Sequence, residues 1–334
     1  MSNFWQKLER PFFILAPMAN VTDWAFRKIV AKCGRPDVFY TEFLSCDGIL
    51  HDKTKFEKEL YFEKSEKPIV VQFFGSKPEN FYKCAQLAAE LGFDGIDINM
   101  GCPDRSVEKQ GAGAALIKNP KLAKEIIKET KRGARSTSSG QALPVSIKTR
   151  LGYNKIETRE WVSTLLETEP AVLIIHGRTR KEMSSVPAHW DEIGTAAEVA
   201  LALPASLNSL IPSSQGTKTL IIGNGDVASL EDAKKKAKDY KLDGIMVGRG
   251  IFANPWFFNE KVDIKEIKPK QRIELLRGHL DNFEKLWGSN GRFDTMKKFF
   301  KVYISNWDGA KELRAKLMMA KNKQGVVDIL QNQL

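Results

Sequence analysis

The sequence predicts an α/β fold, a (β/α)8 TIM barrel, followed by a small C-terminal helical-bundle domain. Three observations carry this expectation. Short β-rich runs alternate with amphipathic stretches from residue 12 to about residue 255. Runs such as Ile69-Val70-Val71-Gln72-Phe73 and Val172-Leu173-Ile174-Ile175-His176 are almost continuously apolar, which suits a parallel sheet covered by helices. After Asn254-Pro255-Trp256 the β pattern stops and only helical spacing follows.

Strands are expected at 13–16, 38–42, 69–73, 95–99, 145–149, 172–176, 219–222 and 244–247. Helices are expected between them at 23–32, 78–91, 120–132, 158–167, 193–203 and 230–238. Asp23, Thr158 and Ser229 are placed to start three of these, because their side-chain oxygens can accept from the free N–H groups of a first turn. Two connections, 133–143 and 204–218, are rich in Ser, Gly and Ala and read as flexible surface insertions. Beyond residue 270, helices are expected at 272–286, 295–307, 311–320 and 326–330. Leu275, Leu276, His279, Leu280 and Phe283 keep the helical period. The expected domains are therefore 1–255 and 256–334.

Composition narrows the class. The chain has 42% hydrophobic and 28% charged residues, as a folded globular protein does. No apolar run approaches the roughly 20 residues of a membrane-spanning helix. The early apolar segment holds Pro11 and Pro17 and reads as a first strand rather than a signal peptide. Four widely spaced cysteines, with no Cys-x-x-Cys pair, argue against a zinc site or a disulfide framework and for a reducing, cytoplasmic setting. The formal net charge is +11, and residues 261–334 hold 16 Lys and Arg against 9 Asp and Glu. A basic terminal domain with interspersed aromatics is a candidate nucleic-acid surface. It is also what a lysine-rich solvated helical surface looks like.

The most informative stretch is 94–117, DGIDINMGCPDRSVEKQGAGAALI. It opens as a strand and breaks at Asn99-Met100-Gly101-Cys102-Pro103. Gly101 frees the backbone there, and Pro103 cannot continue a ladder. Cys102 thus sits on a turn just past a buried strand. A cysteine in that setting is by itself more often an inert packing thiol. The other strand ends change the reading, because an eight-stranded α/β barrel keeps its chemistry at the C-terminal ends of its strands. Those ends carry Pro17-Met18-Ala19, Glu42, Gln72, Asn99 with Cys102, and Lys148 with Arg150. They continue with His176 and Arg178, Asn224-Gly225-Asp226, and Gly248-Arg249-Gly250.

Polar, amide or cationic groups at nearly every end outline a site for a flat ligand with polar edges. The glycine loops after strands seven and eight offer backbone N–H groups to a phosphate, and Arg249 adds charge. Lys148 can stabilise negative charge on a ring, and Gln72, Asn99 and His176 offer donors and acceptors to a heterocycle edge. Gly111-Ala112-Gly113 lacks the third glycine of a dinucleotide-binding turn, which excludes a Rossmann site.

At this point the motifs are familiar. The sequence resembles the tRNA-dihydrouridine synthases, flavin enzymes that reduce particular uridines in tRNA. The resemblance rests on LAPMANVTDWAFR (15–27), TEF (41–43), VQFFG (71–75), DINMGCPDRSVEKQGAGAALI (97–117) and VSIKTRLG (145–152). It continues through IHGRTR (175–180), IGNGD (222–226) and GIMVGRGIFANPWFF (244–258), and more weakly KELRAKL (311–317).

The resemblance implies FMN at the barrel mouth, held by Pro17, Met18, Ala19, Gln72, Lys148, His176, Asn224, Gly225, Asp226, Gly248 and Arg249. It implies Cys102 as the catalytic acid, giving a proton to uracil C5 while C6 takes a hydride, and NADPH as the hydride donor. Asn99 would hold the uracil or flavin edge. Expected tRNA contacts are Arg105, Lys109, Arg178 and Arg180 near the site, and Lys297, Lys298, Lys301, Arg314 and Lys316 on the terminal helices. A monomer acting on tRNA, with neither membrane nor DNA as partner, is expected.

One segment departs from the family pattern. Ser185-Val186-Pro187-Ala188-His189-Trp190 stands where a Gly-x-Ala-Asp-Trp segment is usual. Two other readings stay open: an FMN barrel dehydrogenase acting on a free pyrimidine such as dihydroorotate, and a non-catalytic RNA-binding protein. The basic helical segment argues against the first. Cys102, Lys148, Gln72 and both glycine loops argue against the second.

Overall fold

The computed structural model describes residues 3–135, 142–202, 218–289 and 292–331. Eight strands run parallel: β1 (Phe12–Leu15), β2 (Phe39–Ser45), β3 (Ile69–Phe74), β4 (Gly95–Met100), β5 (Val145–Arg150), β6 (Val172–His176), β7 (Leu220–Asn224) and β8 (Gly244–Val247). Their order in the sheet is β1-β8-β7-β6-β5-β4-β3-β2. The two ends of that order meet. Ile14 and Val38 form a parallel bridge, and the Leu15 N–H donates to the Val38 carbonyl at 3.2 Å. The sheet therefore closes into the expected barrel and leaves no open edge.

Side-chain alternation sorts the apolar residues into two cores. Phe12, Ile14, Val38, Val172, Ile174, Leu220, Ile222 and Met246 pack inside the barrel with Trp5. The intervening residues, such as Val71, Ile98, Ile147, Ile175 and Val247, face the surrounding helices. Inside β2 to β5 the filling turns polar, with Tyr40, Gln72, Asp97 and Ser146 all fully buried.

The helices of the barrel are α1 (Trp24–Cys33), α2 (Cys46–His51), α3 (Pro78–Glu90), α4 (Arg105–Glu108), α5 (Pro120–Arg135), α6 (Thr158–Leu166), α7 (Trp190–Ala202), α8 (Leu230–Asp239) and α9 (Gly250–Ala253). Asp23 Oδ1 accepts from the Phe26 N–H at 3.0 Å, and Ser229 Oγ from the Asp232 N–H at 3.1 Å, so both cap as expected. Thr158 does not. Glu157 holds the cap position, and the Thr158 hydroxyl instead donates to Glu192 at 2.6 Å.

Strand β2 runs three residues past Glu42, with an irregularity in its pairing between Tyr40 and Phe43, so Glu42 is not at a strand end. Strand β7 likewise extends to Asn224, because its ladder with β6 continues through His176. The two expected insertions fall largely at 136–141 and 203–217, outside the described residues, as does the end of the helix expected to reach 203.

Four more helices follow: α10 (Pro269–Trp287), α11 (Phe300–Tyr303), α12 (Ala310–Met318) and α13 (Lys323–Gln331). The single helix expected at 295–307 is instead a 3-10 turn, Phe293–Phe299, running into the short α11. Tertiary packing overrides helical spacing here. Phe299 wedges against Phe26 of α1 and His279 of α10, at centroid distances of 5.0 and 4.7 Å. Helix α10 lies against α1, and its Leu276, Leu280 and Phe283 share the core of the barrel's outer layer. Among the described residues, no helix is long and apolar enough to cross a membrane.

Candidate active site

A cavity of about 610 Å³ opens at the C-terminal ends of the strands. It is walled by Pro17 and Met18 after β1, Lys148 and Arg150 of β5, and His176 and Arg178 at the end of β6. Asn224, Gly225 and Asp226 of β7 and its loop, with Gly248 and Arg249 after β8, complete the wall. Pro103 brings the loop after β4 to the rim. Ala19 stands on the exposed turn before α1 and does not line the cavity.

One side of the cavity is built for an anion. Gly225 and Asp226 are consecutive residues with positive φ, 131° and 44°. The N–H groups of Gly225, Asp226, Gly248 and Arg249 donate to no acceptor among the described residues. Free N–H groups on adjacent glycine loops form an anion-binding concavity. A Cβ on Gly248 would meet nothing nearer than Ala16 Cβ at 3.8 Å, so this backbone faces open space in the cavity. Arg249 extends over the same edge, 3.3 Å from Asp226 Oδ1. Burial would raise the Asp226 pKa, but the Ala188 N–H at 2.9 Å and the neighbouring Arg178 and Arg249 hold it below the usual range.

Cations dominate the floor. His176 Nε2 lies 3.1 Å from an Arg178 guanidinium nitrogen. A guanidinium can only donate, so Nε2 accepts and the ring proton sits on Nδ1. Burial, with Lys148, Arg150, Arg178 and Arg249 nearby, pushes the His176 pKa well below its ordinary value. Burial and Arg150 pull Lys148 down to about 8, against the opposing pull of Asp97 and Cys102. Arg150 works as a strut: its Nε donates to Gly101 O at 2.7 Å, and another nitrogen to Thr179 O and Met183 O at 3.1 and 3.0 Å.

Cys102 is half-buried, while Cys33, Cys46 and Cys84 are fully enclosed. Burial pushes the Cys102 thiol upward; the Asp104 backbone N–H, Arg150 and Lys148 oppose this, and the Asp104 charge adds to it. The net direction is up, so the thiol keeps its proton at neutral pH. Beneath it runs a line of amides. The Cys102 and Gly101 N–H groups donate to Asn99 Oδ1 at 2.9 and 3.1 Å. Asn99 Nδ2 donates to Gln72 Oε1 at 2.9 Å, and Gln72 Nε2 to Asp97 Oδ2 at 2.6 Å. Ser146 Oγ donates to Asp97 Oδ1 at 2.5 Å.

Sequence reasoning gave Asp97 and Ser146 no part. The signal was present: an acidic residue in a strand whose neighbours are Ile96 and Ile98 must find partners inside the barrel.

The basic residues sort by partner. Arg178 is 2% exposed and bound to Asp226, His176 and Val186 O. Arg180 pairs with Glu108 of α4 and stacks 5.4 Å from the Tyr153 ring. Arg314 donates to Ile304 O at 2.6 Å, Lys297 pairs with Asp294 at 2.7 Å, and Lys298 donates to Asn20 O. Arg105, Lys109, Lys301 and Lys316 are exposed, and Lys301 has no ion-pair partner among the described residues. The unusual 185–190 segment packs at the cavity mouth through Val186, Ala188 and the His189–Glu182 pair at 2.9 Å.

A closed parallel barrel with a cationic cavity at its strand ends defines the class of α/β-barrel proteins. The chain resembles histamine dehydrogenase from Rhizobium sp. 4-9, with a TM-score of 0.51 and 14% identity, over 81% of this chain and 48% of that one. It also resembles 6-hydroxypseudooxynicotine amine oxidase from Pseudomonas geniculata N1, with a TM-score of 0.52 and 14% identity, over 75% of this chain and 46% of that one. In each case the chain spans about half of the larger protein, and the likeness is one of fold.

The family is narrower. Residues 14–334 match the family described as "Dihydrouridine synthase (Dus)". The chain is 42% identical to "Probable tRNA-dihydrouridine synthase 2" of Bacillus subtilis (strain 168), over 98% of this chain and 95% of the relative. It is 42% identical to "Probable tRNA-dihydrouridine synthase" of Staphylococcus aureus (strain COL), over 98% and 93%. The chain belongs to the dihydrouridine synthase family.

Proposed function

We propose that this chain is a tRNA-dihydrouridine synthase that reduces the C5–C6 bond of specific uridines in tRNA with FMN and NADPH. One observation carries the reading: a half-buried thiol, Cys102, stands next to Pro103 at the rim of a cavity that has an anion cradle on one side and is lined by Lys148.

The donor set fits FMN. The free N–H groups of the Gly225-Asp226 and Gly248-Arg249 loops, with Arg249, suit the phosphate. Lys148 suits the electron-rich edge of a reduced ring, and His176 offers Nδ1–H. When bound, reduced FMN supplies the hydride that uracil C6 takes up, with NADPH as its source. The chain's own residues do the rest. Asn99 fixes the loop carrying Cys102, and Arg150 pins that loop from the other side through Gly101. Cys102 holds a proton at Sγ and gives it to C5 as general acid. Its raised pKa keeps that proton in place until transfer.

The uridine leaves its stack to enter, which costs least in a tRNA loop. Residues 256–334 form the tRNA-binding domain in this reading. Arg105 and Lys109 beside the barrel mouth, and Lys301 and Lys316 in that domain, are the freest phosphate ligands, and the protein acts as a cytoplasmic monomer. Arg178 serves by shaping the cavity wall, and Arg180 by holding Glu108 of α4.

The test is anaerobic. The protein is reduced with NADPH and mixed with unmodified tRNA, and reoxidation of the flavin absorbance is followed beside mapping of dihydrouridine. Reoxidation with defined uridines reduced is expected. Flavin that is reduced by NADPH yet indifferent to tRNA, but reoxidised by a free pyrimidine, would replace this reading with the dehydrogenase one.

A further inference from the structure

We propose that Asp97, buried inside the barrel, is the positioning residue that fixes where Cys102 stands, acting through Gln72 and Asn99. Hydrogen-bond polarity sets the direction of this chain of contacts. Ionised, or with its proton on Oδ1, Asp97 can satisfy the Gln72 side chain at Oδ2 only by accepting, so the Gln72 amide turns its Nε2 end toward it. Gln72 Oε1 then faces Asn99 and can only accept, which turns Asn99 Nδ2 toward Gln72. Asn99 Oδ1 is thereby left facing the N–H groups of Gly101 and Cys102, and accepts from both.

Each amide is symmetric in shape but not in chemistry. If Asp97 gave no acceptor, both amides could turn over, and Asn99 would then present N–H groups to the N–H of Cys102. Two donors would face each other in a site where Gln72 is fully buried and Asn99 is 6% exposed. Asp97 therefore sets a direction that starts at the barrel centre and ends at the thiol.

The relay tolerates protonation. A proton on Oδ1 can be donated to Ser146 Oγ, whose hydroxyl then turns to Ile96 O at 3.3 Å, and Oδ2 goes on accepting from Gln72. It therefore needs an acceptor at that place more than it needs a charge. The inference rests on the proposed proton-donor role of Cys102 for its catalytic meaning only; the geometry stands apart from it.

The test reads the thiol directly. Cys33, Cys46 and Cys84 are buried, so iodoacetamide on the folded, flavin-free protein reports on Cys102 alone. Asp97→Leu removes the acceptor and Gln72→Met cuts the relay one step on. Both are expected to change the Cys102 alkylation rate by at least about fivefold, in the same direction, with no further change in the double variant. Asp97→Asn, which can still offer an oxygen to Gln72 and an N–H to Ser146, is expected to stay within about twofold of wild type. Ser146→Ala, off the relay, is also expected to stay close to wild type.

Folded Asp97→Leu protein with an unchanged rate would overturn the inference, as would Asp97→Asn behaving like Asp97→Leu. If Asp97→Leu does not fold, an unchanged rate in Gln72→Met overturns it instead. In the flavin-loaded protein, Asp97→Leu is expected to lower kcat for tRNA reduction while KM for tRNA holds, with Asp97→Asn restoring it. A thiol result as expected, in a protein that never turns over tRNA, would leave the relay standing and remove the proposed function.

Discussion

Trp287 Nε1, at the end of α10, donates to Asp23 Oδ2 at 2.9 Å, while the other oxygen of Asp23 caps α1. One carboxylate thus joins the start of the first barrel helix to the end of the first terminal helix. Trp287→Phe is expected to lower stability by about 1–2 kcal/mol, through a lost hydrogen bond to a buried carboxylate. Denaturant midpoints of the two proteins, at equal slope, measure it.

The two glycine loops of the cradle are expected to respond differently to the same change. A Cβ at Gly248 enters open cavity, so Gly248→Ala is expected to fold normally and to lose FMN affinity. A Cβ at Gly225 meets Ala188 Cβ at 2.8 Å on a backbone with φ of 131°, so Gly225→Ala is expected to cost stability as well. Thermal melts of the flavin-free proteins, followed by flavin titration, separate the two effects.

Cys102→Ala is expected to keep FMN and to be reduced by NADPH at the wild-type rate. Its reoxidation by tRNA is expected to slow by about 10²–10⁴, the usual cost of losing a positioned general acid. Single-turnover absorbance traces distinguish the steps.

Lys148 gives a pH signature in the flavin-free protein. Burial and Arg150 hold its folded pKa at about 8, below the ordinary lysine value of 10.5. Between those values the unfolded chain binds a proton that the folded chain does not, so stability rises with pH across the window. Read downward, the contribution is lost as pH falls through about 8. Lys148→Met is expected to flatten this profile and to raise the denaturant midpoint at pH 7. A wild-type midpoint with no slope from pH 8 to 10, relative to the variant, would refute the assignment.

Lys301 is exposed and free of ion pairs among the described residues, whereas Lys297 is tied to Asp294. Lys301→Ala is therefore expected to weaken tRNA binding and to reduce the salt slope by about one, with little change in stability. Binding isotherms at several salt concentrations give the slope.

The sequence by itself determined the barrel and the residue types at its mouth. Near-continuous apolar strands such as β6 and amphipathic helices between them can be buried together in few other ways. The motif around Cys102 and the glycine loops after β7 and β8 were legible because chain order alone puts strand ends on one face of a barrel.

What only the tertiary structure decided is which polar atoms meet. Asp97 and Ser146 lie 49 positions apart and bond only because β4 and β5 are paired in register. Arg178 and Arg180 look like free phosphate ligands in one dimension, yet each is held by a carboxylate from a distant segment. The helix expected at 295–307 broke because Phe299 gained more from the surface of α1 and α10 than from its own turn. Local propensity is worth tenths of a kcal/mol per residue, and buried aromatic contacts and ion pairs across the fold outweigh it.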